Sequence, residues 1–190
     1  MLLTAAPAAC GSAAHQSTEG GIPKLLLEEV RPIGSGPRFR PPVTGPPLGI
    51  CRPALGQRFG VHIELFAANR VVIVAAGIGT RPPRSISPGG MLSARCYGDL
   101  VTLQPTGVVL VRRGSRMTVA SVFHSWGQPL SDTRLAGFSA SPGARVAVFV
   151  GGRRWDRAPG DVPLVSGSEI VLEVGPHVPP HKSFTFPPLP

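Results

Sequence analysis

Five histidines, three cysteines and a large arginine excess are the side chains of this 190-residue chain that could do chemistry. His15, His62, His124, His177 and His181 are the candidates for metal ligation or proton transfer. Their spacing gives no ligand motif, because the chain has no His-x-His and no Cys-x-x-Cys. His177 and His181 are four apart, but Pro176, Pro179 and Pro180 exclude the helix that would align them. His62, next to Glu64 on the outer face of an expected strand, remains as a metal candidate, and no bound metal is expected. No Gly-x-Ser-x-Gly elbow marks a nucleophile, and Gly114-Ser115-Arg116 reads as a turn. Asp156 and Asp161 flank a Pro-Gly turn and read as solvated acids. Gly77-Ile78-Gly79-Thr80 lacks the lysine of a phosphate loop. The expectation is a protein with no catalytic residue and no cofactor.

The formal charge is +9, and only Lys24 and Lys182 are lysines, so arginine supplies the excess. Arg112, Arg113 and Arg116 form one cluster at a turn, and Arg153, Arg154 and Arg157 form another. Such clusters are candidate anion sites for lipid headgroups or an acidic envelope polymer. They equally suit the guarding of sheet edges. With one tyrosine and two tryptophans, base stacking has little to work with, so nucleic acid is not favoured as a partner.

The elements that must carry these side chains follow from periodicity. Val61, Ile63 and Leu65 alternate with His62 and Glu64, which predicts a strand. The apolar run Val71 to Ala76 predicts its hairpin partner, and residues 80–100, broken by Pro82-Pro83 and Pro88-Gly89-Gly90, predict a loop. Val108 to Val111 reads as a third strand. Val119, Val122, Phe123 and Trp126 fall on one helical face, with Thr118 as cap, Gly127 as stop and Pro129 preventing continuation. Arg145 to Val150, a Gly151-Gly152 turn, a return strand from Arg153 and a last strand Glu169 to Val174 complete the order. One helix on a mixed sheet is α+β. Fifteen of the 23 prolines lie outside residues 61–175. They predict a Pro/Gly-rich linker over 17–55 and an extended C-terminal strap over 176–190, within a domain spanning 56–190 whose core is 61–175.

The order of elements is similar to that of the β-grasp fold. Val148 to Gly152 and Val165 to Leu172 resemble the late strands of the sulfur-carrier proteins of that fold. Those proteins work through a Gly-Gly tail, and this chain ends Pro-Pro-Leu-Pro, so the likeness implies shape alone. At the other end, Ala8-Ala9-Cys10-Gly11-Ser12 resembles a lipoprotein cleavage site, which makes residues 1–16 a leader and Cys10 the lipidated residue. Pro7 stands where leucine is usual and the apolar stretch is short, which a start codon further upstream would explain. With Cys10 lipidated, Cys51 and Cys96 remain and can pair, as suits an exported protein.

A series of short motifs resembles a family of uncharacterised prokaryotic exported proteins, many with lipoprotein-type or membrane-anchored N-termini. The motifs are Arg58 to His62, Ala76 to Gly79, Pro105 to Val108, Trp126 to Leu130, Val178 to His181 and Phe184 to Pro188. Some members carry a His-x-His falling on Gly60 and His62, and a His-Thr-His-Asp falling on Val101, Thr102, Leu103 and Gln104. Only His62 and Thr102 match, so this chain lacks that ligand set. The combined expectation is a non-catalytic binding or structural module of a cell-envelope lipoprotein, tethered on the outer face of the cytoplasmic membrane. Trp126, Gln128 and Trp155 are its candidate interaction surface. The alternatives are a cytoplasmic basic protein binding nucleic acid or another polyanion through its arginines, and a degenerate metal-binding domain.

Overall fold

The computed structural model describes residues 31–87 and 89–188. Cys10, His15 and the leader lie outside the described residues. The first strand along the described chain is β1 (Arg58–Ala67), whose odd-numbered apolar residues face the core. A two-residue β2 (Arg70–Val71) folds back onto its end. Next come β3 (Thr80–Ser87), β4 (Gly90–Tyr97), β5 (Leu100–Val101) and β6 (Val108–Arg112). Helix α1 (Val119–Trp126) precedes the short β7 (Leu130–Ser131), β8 (Arg134–Leu135) and β9 (Phe138–Ser139). The chain closes with β10 (Ala147–Val150), β11 (Arg153–Arg154) and β12 (Glu169–Val174).

The main sheet runs β11-β10-β12-β1-β6-β5, with β2 beside β1. Its central pair, β1 and β12, is parallel, and every other pair in it is antiparallel. The fold is therefore α+β, with a β-grasp-like mixed sheet and, among the described residues, one short α-helix, as the sequence predicts. Ile63, Leu65, Ile170 and Leu172 line the inner face, and Val119, Val122, Phe123 and Trp126 of α1 join the same core, each at most 2% exposed. Each such side chain contributes about 1.5–3 kcal/mol on burial. Thr118 stands at the N-cap position, where its N–H donates to Ser121 Oγ at 3.2 Å. Gly127 ends the helix at φ 79°, a left-handed angle that glycine adopts without steric cost.

Two expectations are corrected. The hairpin at Ala68-Asn69 forms, but its return strand is short: Arg70 and Val71 pair with β1, Val72 N–H reaches Leu65 O, and the run to Ala76 does not continue the strand. The run is apolar because the upstream chain lies beside it, with Gly34 N–H donating to Val71 O and Ile73 N–H to Phe39 O. The long antiparallel neighbour of β1 is β6. Residues 80–100 are not a loop but mostly a hairpin arm, β3 with β4. Its Pro82-Pro83 step, with a cis peptide between the two, sits where the register shifts between Arg81 and Arg84. A bulge asks no ladder donor of the prolines there. The three-stranded β7-β8-β9 sheet has strands of two residues, too short for alternation to register.

Residues 31–55 run against the domain: Trp126 Nε1–H donates to Pro41 O at 3.2 Å, and Thr44 N–H to Trp126 O at 2.9 Å. Cys51 and Cys96 are joined by a disulfide with a Cα–Cα distance of 5.3 Å. Beside it, Arg52 and Tyr97 exchange backbone hydrogen bonds of 3.0 and 2.8 Å, so the entry segment is stapled to the base of the arm. Residues 176–188 form the strap, and its Phe184 and Phe186 pack against Val101, Val108 and Leu110. Among the described residues, no helix is long and apolar enough to cross a membrane.

Candidate functional site

The outer face of the central strands is where titratable groups converge. Alternation puts His62 and Glu64 of β1 on this face, and the parallel register sets Glu169 of β12 opposite His62. The face would be wet, but the strap crosses it. His62 and Glu169 are therefore only 5% and 2% exposed. His62 Nε2–H donates to the Thr106 carbonyl at 2.9 Å, which fixes a proton on that nitrogen because a carbonyl only accepts. Gly107 permits this approach: a Cβ there would meet the Ile63 carbonyl and come within 3.0 Å of His62 Nε2. His62 Nδ1 lies 2.7 Å from Glu169 Oε2, so the two share one proton. The other oxygen, Glu169 Oε1, is buried with no hydrogen-bond partner.

The strap brings in the remaining members. His181 Nδ1 is 2.9 Å from both oxygens of Glu64, and the Phe184 ring stacks on His62 at 3.7 Å. A second strap histidine, His177, reaches Glu173 Oε1 at 2.6 Å, while Glu173 Oε2 accepts from Val178 N–H. Each of the three glutamates on this face thus pairs with one histidine, and two of those histidines belong to the strap.

Burial holds the Glu64 carboxyl above its ordinary range, the nearby Glu169 carboxylate adds to this, and the His181 hydrogen bond opposes it. The folded chain then keeps the Glu64 proton at a pH where the unfolded chain has released it. That contribution to stability is complete below the unfolded value of 4.5 and is lost as pH rises through the higher folded value. Glu64→Gln in chelator-treated buffer is expected to raise Tm by a few degrees at pH 8 and to leave it unchanged at pH 4. A pH series of melting curves checks this, and a deficit of equal size at both pH values would contradict it.

The sequence-derived arginine clusters do not form one surface. Arg112 donates to Asp99 Oδ1 at 2.9 Å and is half-buried, while Arg113 and Arg116 are exposed. Arg153 and Arg154 lie on β11, separated from β6 by β10, β12 and β1. Arg154 packs over Phe149 and Arg157 over Trp155, at 5.7 and 4.4 Å from the ring centroids. Trp126, expected on an interaction surface, is fully buried and serves the core. Gln128 binds the Pro42 carbonyl and Trp155 the Ala158 carbonyl, both local ties. His124 is exposed on the outer side of α1.

Residues that the sequence reading passed over are Glu169 and the arginines of the β3–β4 arm, Arg81, Arg84 and Arg95. Glu169 begins an alternating strand and so reads as a solvated edge residue; only its register with His62 gives it a role. The arm arginines sit among the prolines and glycines that signalled a loop. Along Thr80 to Tyr97 there is no acidic residue. Near the arm's tip Ile86 and Leu92 are 57% and 70% exposed. A cleft of about 530 Å³ lies between this tip and the end of the strap, lined by Met91, Leu92, Leu103, Val108, Leu110 and Pro187. No family model, no curated protein and no solved structure matches the chain, so both regions are read from their own geometry.

Proposed function

We propose that the chain is a non-catalytic binding module of an exported, membrane-tethered envelope protein, and that it binds a surface of anionic lipid headgroups. The β3–β4 arm carries this reading. Its arginines face no acid on the arm itself, and its tip holds Ile86 and Leu92 in solvent beside an apolar cleft. Cations along an arm that ends in an apolar tip suit the boundary between headgroups and acyl chains. The disulfide at the arm's base supports an oxidising compartment. Lipidation at Cys10 would hold the arm near that surface. The non-catalytic reading is supported by the strap, which covers the buried histidine and carboxylates.

Arg81 and Arg95 are both exposed, whereas Arg84 is turned back onto Thr80 by two hydrogen bonds. The first two are therefore the ones to change. Sedimentation with phosphatidylglycerol vesicles is expected to exceed that with phosphatidylcholine vesicles. Arg81→Gln with Arg95→Gln should weaken it by up to about 30-fold, the limit set by about 1 kcal/mol per arginine near the surface. Equal binding to both vesicles sinks the proposal. Salt-sensitive DNA binding without vesicle binding gives the function to the polyanion alternative. Metabolic lipid labelling, present in the wild type and lost in Cys10→Ala, checks the tether.

A further inference from the structure

We propose that His62, Glu64, Glu169 and His181 form a binding site for a divalent metal ion of the zinc class, closed by the C-terminal strap. The inference is independent of the headgroup reading, because it concerns the opposite end of the chain's chemistry: a buried ligand set under the strap, not the exposed arm.

The first ground is geometric. Ligand atoms of His62, Glu64 and Glu169 all lie within 4.8 Å of one another. Bonds of about 2.0 Å in a tetrahedral site put neighbouring ligand atoms about 3.3 Å apart, so shifts on the order of 1 Å convert one arrangement to the other. His181 Nδ1, 2.9 Å from both Glu64 oxygens, stands beside this group of three and would swing in to serve as the fourth ligand.

The second ground is the unpartnered oxygen. Glu169 is 2% exposed, and its Oε1 has no hydrogen-bond partner. A buried carboxylate oxygen left unpaired is costly, and a cation is the partner that satisfies it without another donor. The third ground is the orientation of His62. Ligating histidines commonly give their other ring N–H to a backbone carbonyl, as His62 Nε2 does to Thr106. Its Nδ1 then points at Glu169, and the single proton between them is the one a metal displaces to solvent.

The donor set selects the ion. Two imidazole nitrogens and two carboxylate oxygens suit zinc and its first-row neighbours. Calcium takes six to eight oxygens and magnesium an octahedron rich in water, neither of which this set supplies. Two carboxylates also balance the charge of a divalent ion. The Phe184 ring, stacked at 3.7 Å on His62, keeps one side of the site dry. The ligands come from β1, β12 and the strap, so a bound ion would fasten the strap to the sheet.

The test uses the full chain, free of any histidine tag and stripped by chelator. Zinc affinity is read by competition with a chromophoric chelator, and coordination by the visible spectrum after cobalt(II) addition. One equivalent is expected, with the intense visible bands of four-coordinate cobalt and no response to calcium or magnesium. Glu169→Gln should lose more than the ~10–100-fold that altering an outer partner of a metal site costs. His181→Ala, on the exposed strap, should keep the fold while weakening zinc and changing the cobalt spectrum. Glu64→Gln should also weaken zinc. If Glu169→Gln fails to fold, His181→Ala and Glu64→Gln decide the matter. Binding of one equivalent untouched by those variants, or no stoichiometric zinc binding at micromolar protein, overturns the proposal.

Discussion

Replacing Cys51 and Cys96 together by serine is expected to lower stability by about 4 kcal/mol, the chain-entropy value for a closed loop of this length. The two residues are 45 apart in sequence. In a chain of this size 1 kcal/mol moves Tm by about 2–4 °C, so a fall of roughly 8–16 °C follows. The loss has a local expression as well. Beside the arm's base the entry segment is held by few bonds: Asp99 N–H to Leu48 O, the Arg52–Tyr97 pair, Arg58 Nε–H to Leu55 O, and the disulfide. Without the disulfide the base of the β3–β4 arm is expected to open first, seen as early hydrogen exchange at Tyr97 and Asp99. Thermal melting with and without reductant checks the global effect. A reduced protein that melts with the oxidised one would contradict it.

Arg58→Met is the second large effect, expected to cost about 3–5 kcal/mol, as for removing one partner of a buried charge network. Arg58 is 7% exposed, and its guanidinium donates to the carbonyls of Gly98 (2.6 Å), Leu55 (2.8 Å), Asp99 (3.2 Å) and Leu110 (3.2 Å). Burial, with the neighbouring Arg112 guanidinium, lowers its pKa to about 10, so it remains charged at neutral pH. One side chain thus gathers the entry segment, the end of the arm and β6 around the start of β1. Methionine fills much of the volume but satisfies none of the four acceptors, and each one stranded costs about 1–3 kcal/mol unless another donor reaches it. Arg58→Lys keeps the charge as a compact point with no planar fork, and is expected to recover only part of the loss. Denaturant midpoints at pH 7 measure both. A methionine variant within about 1 kcal/mol of the wild type would overturn the assignment.

The amount of the fold legible in the sequence tracks how local the signal is. Helix α1 was readable because its four apolar residues, Gly127 and Pro129 all lie within a dozen positions. Strands β1, β10 and β12 were readable by alternation for the same reason. Val71 to Ala76 was misread because a run apolar on all sides says only that it is buried. Val72 and Val74 join the main core, and the chain at 31–39, far upstream, hydrogen-bonds along the run. The arm was misread because Pro82, Pro83 and Gly90 are loop residues by rule, and only the observed register shift explains how a strand accommodates them.

The candidate metal site divides the same way. Spacing places His62 and Glu64 on one face of a strand, and the local sequence holds no compact ligand motif. The partners of that pair are remote: Glu169 is 107 residues from His62, and His181 is 117 from Glu64. Sequence by itself determined the fold class, helix α1, the aromatic strap and the expected pairing of Cys51 with Cys96. Tertiary structure alone decided that β1 and β12 lie parallel with His62 opposite Glu169, and that the strap covers that face. The physical reason is that register between distant strands is set by the packing of their common inner face. The polar side chains opposite are brought together as its consequence, with no local pattern of their own to mark it.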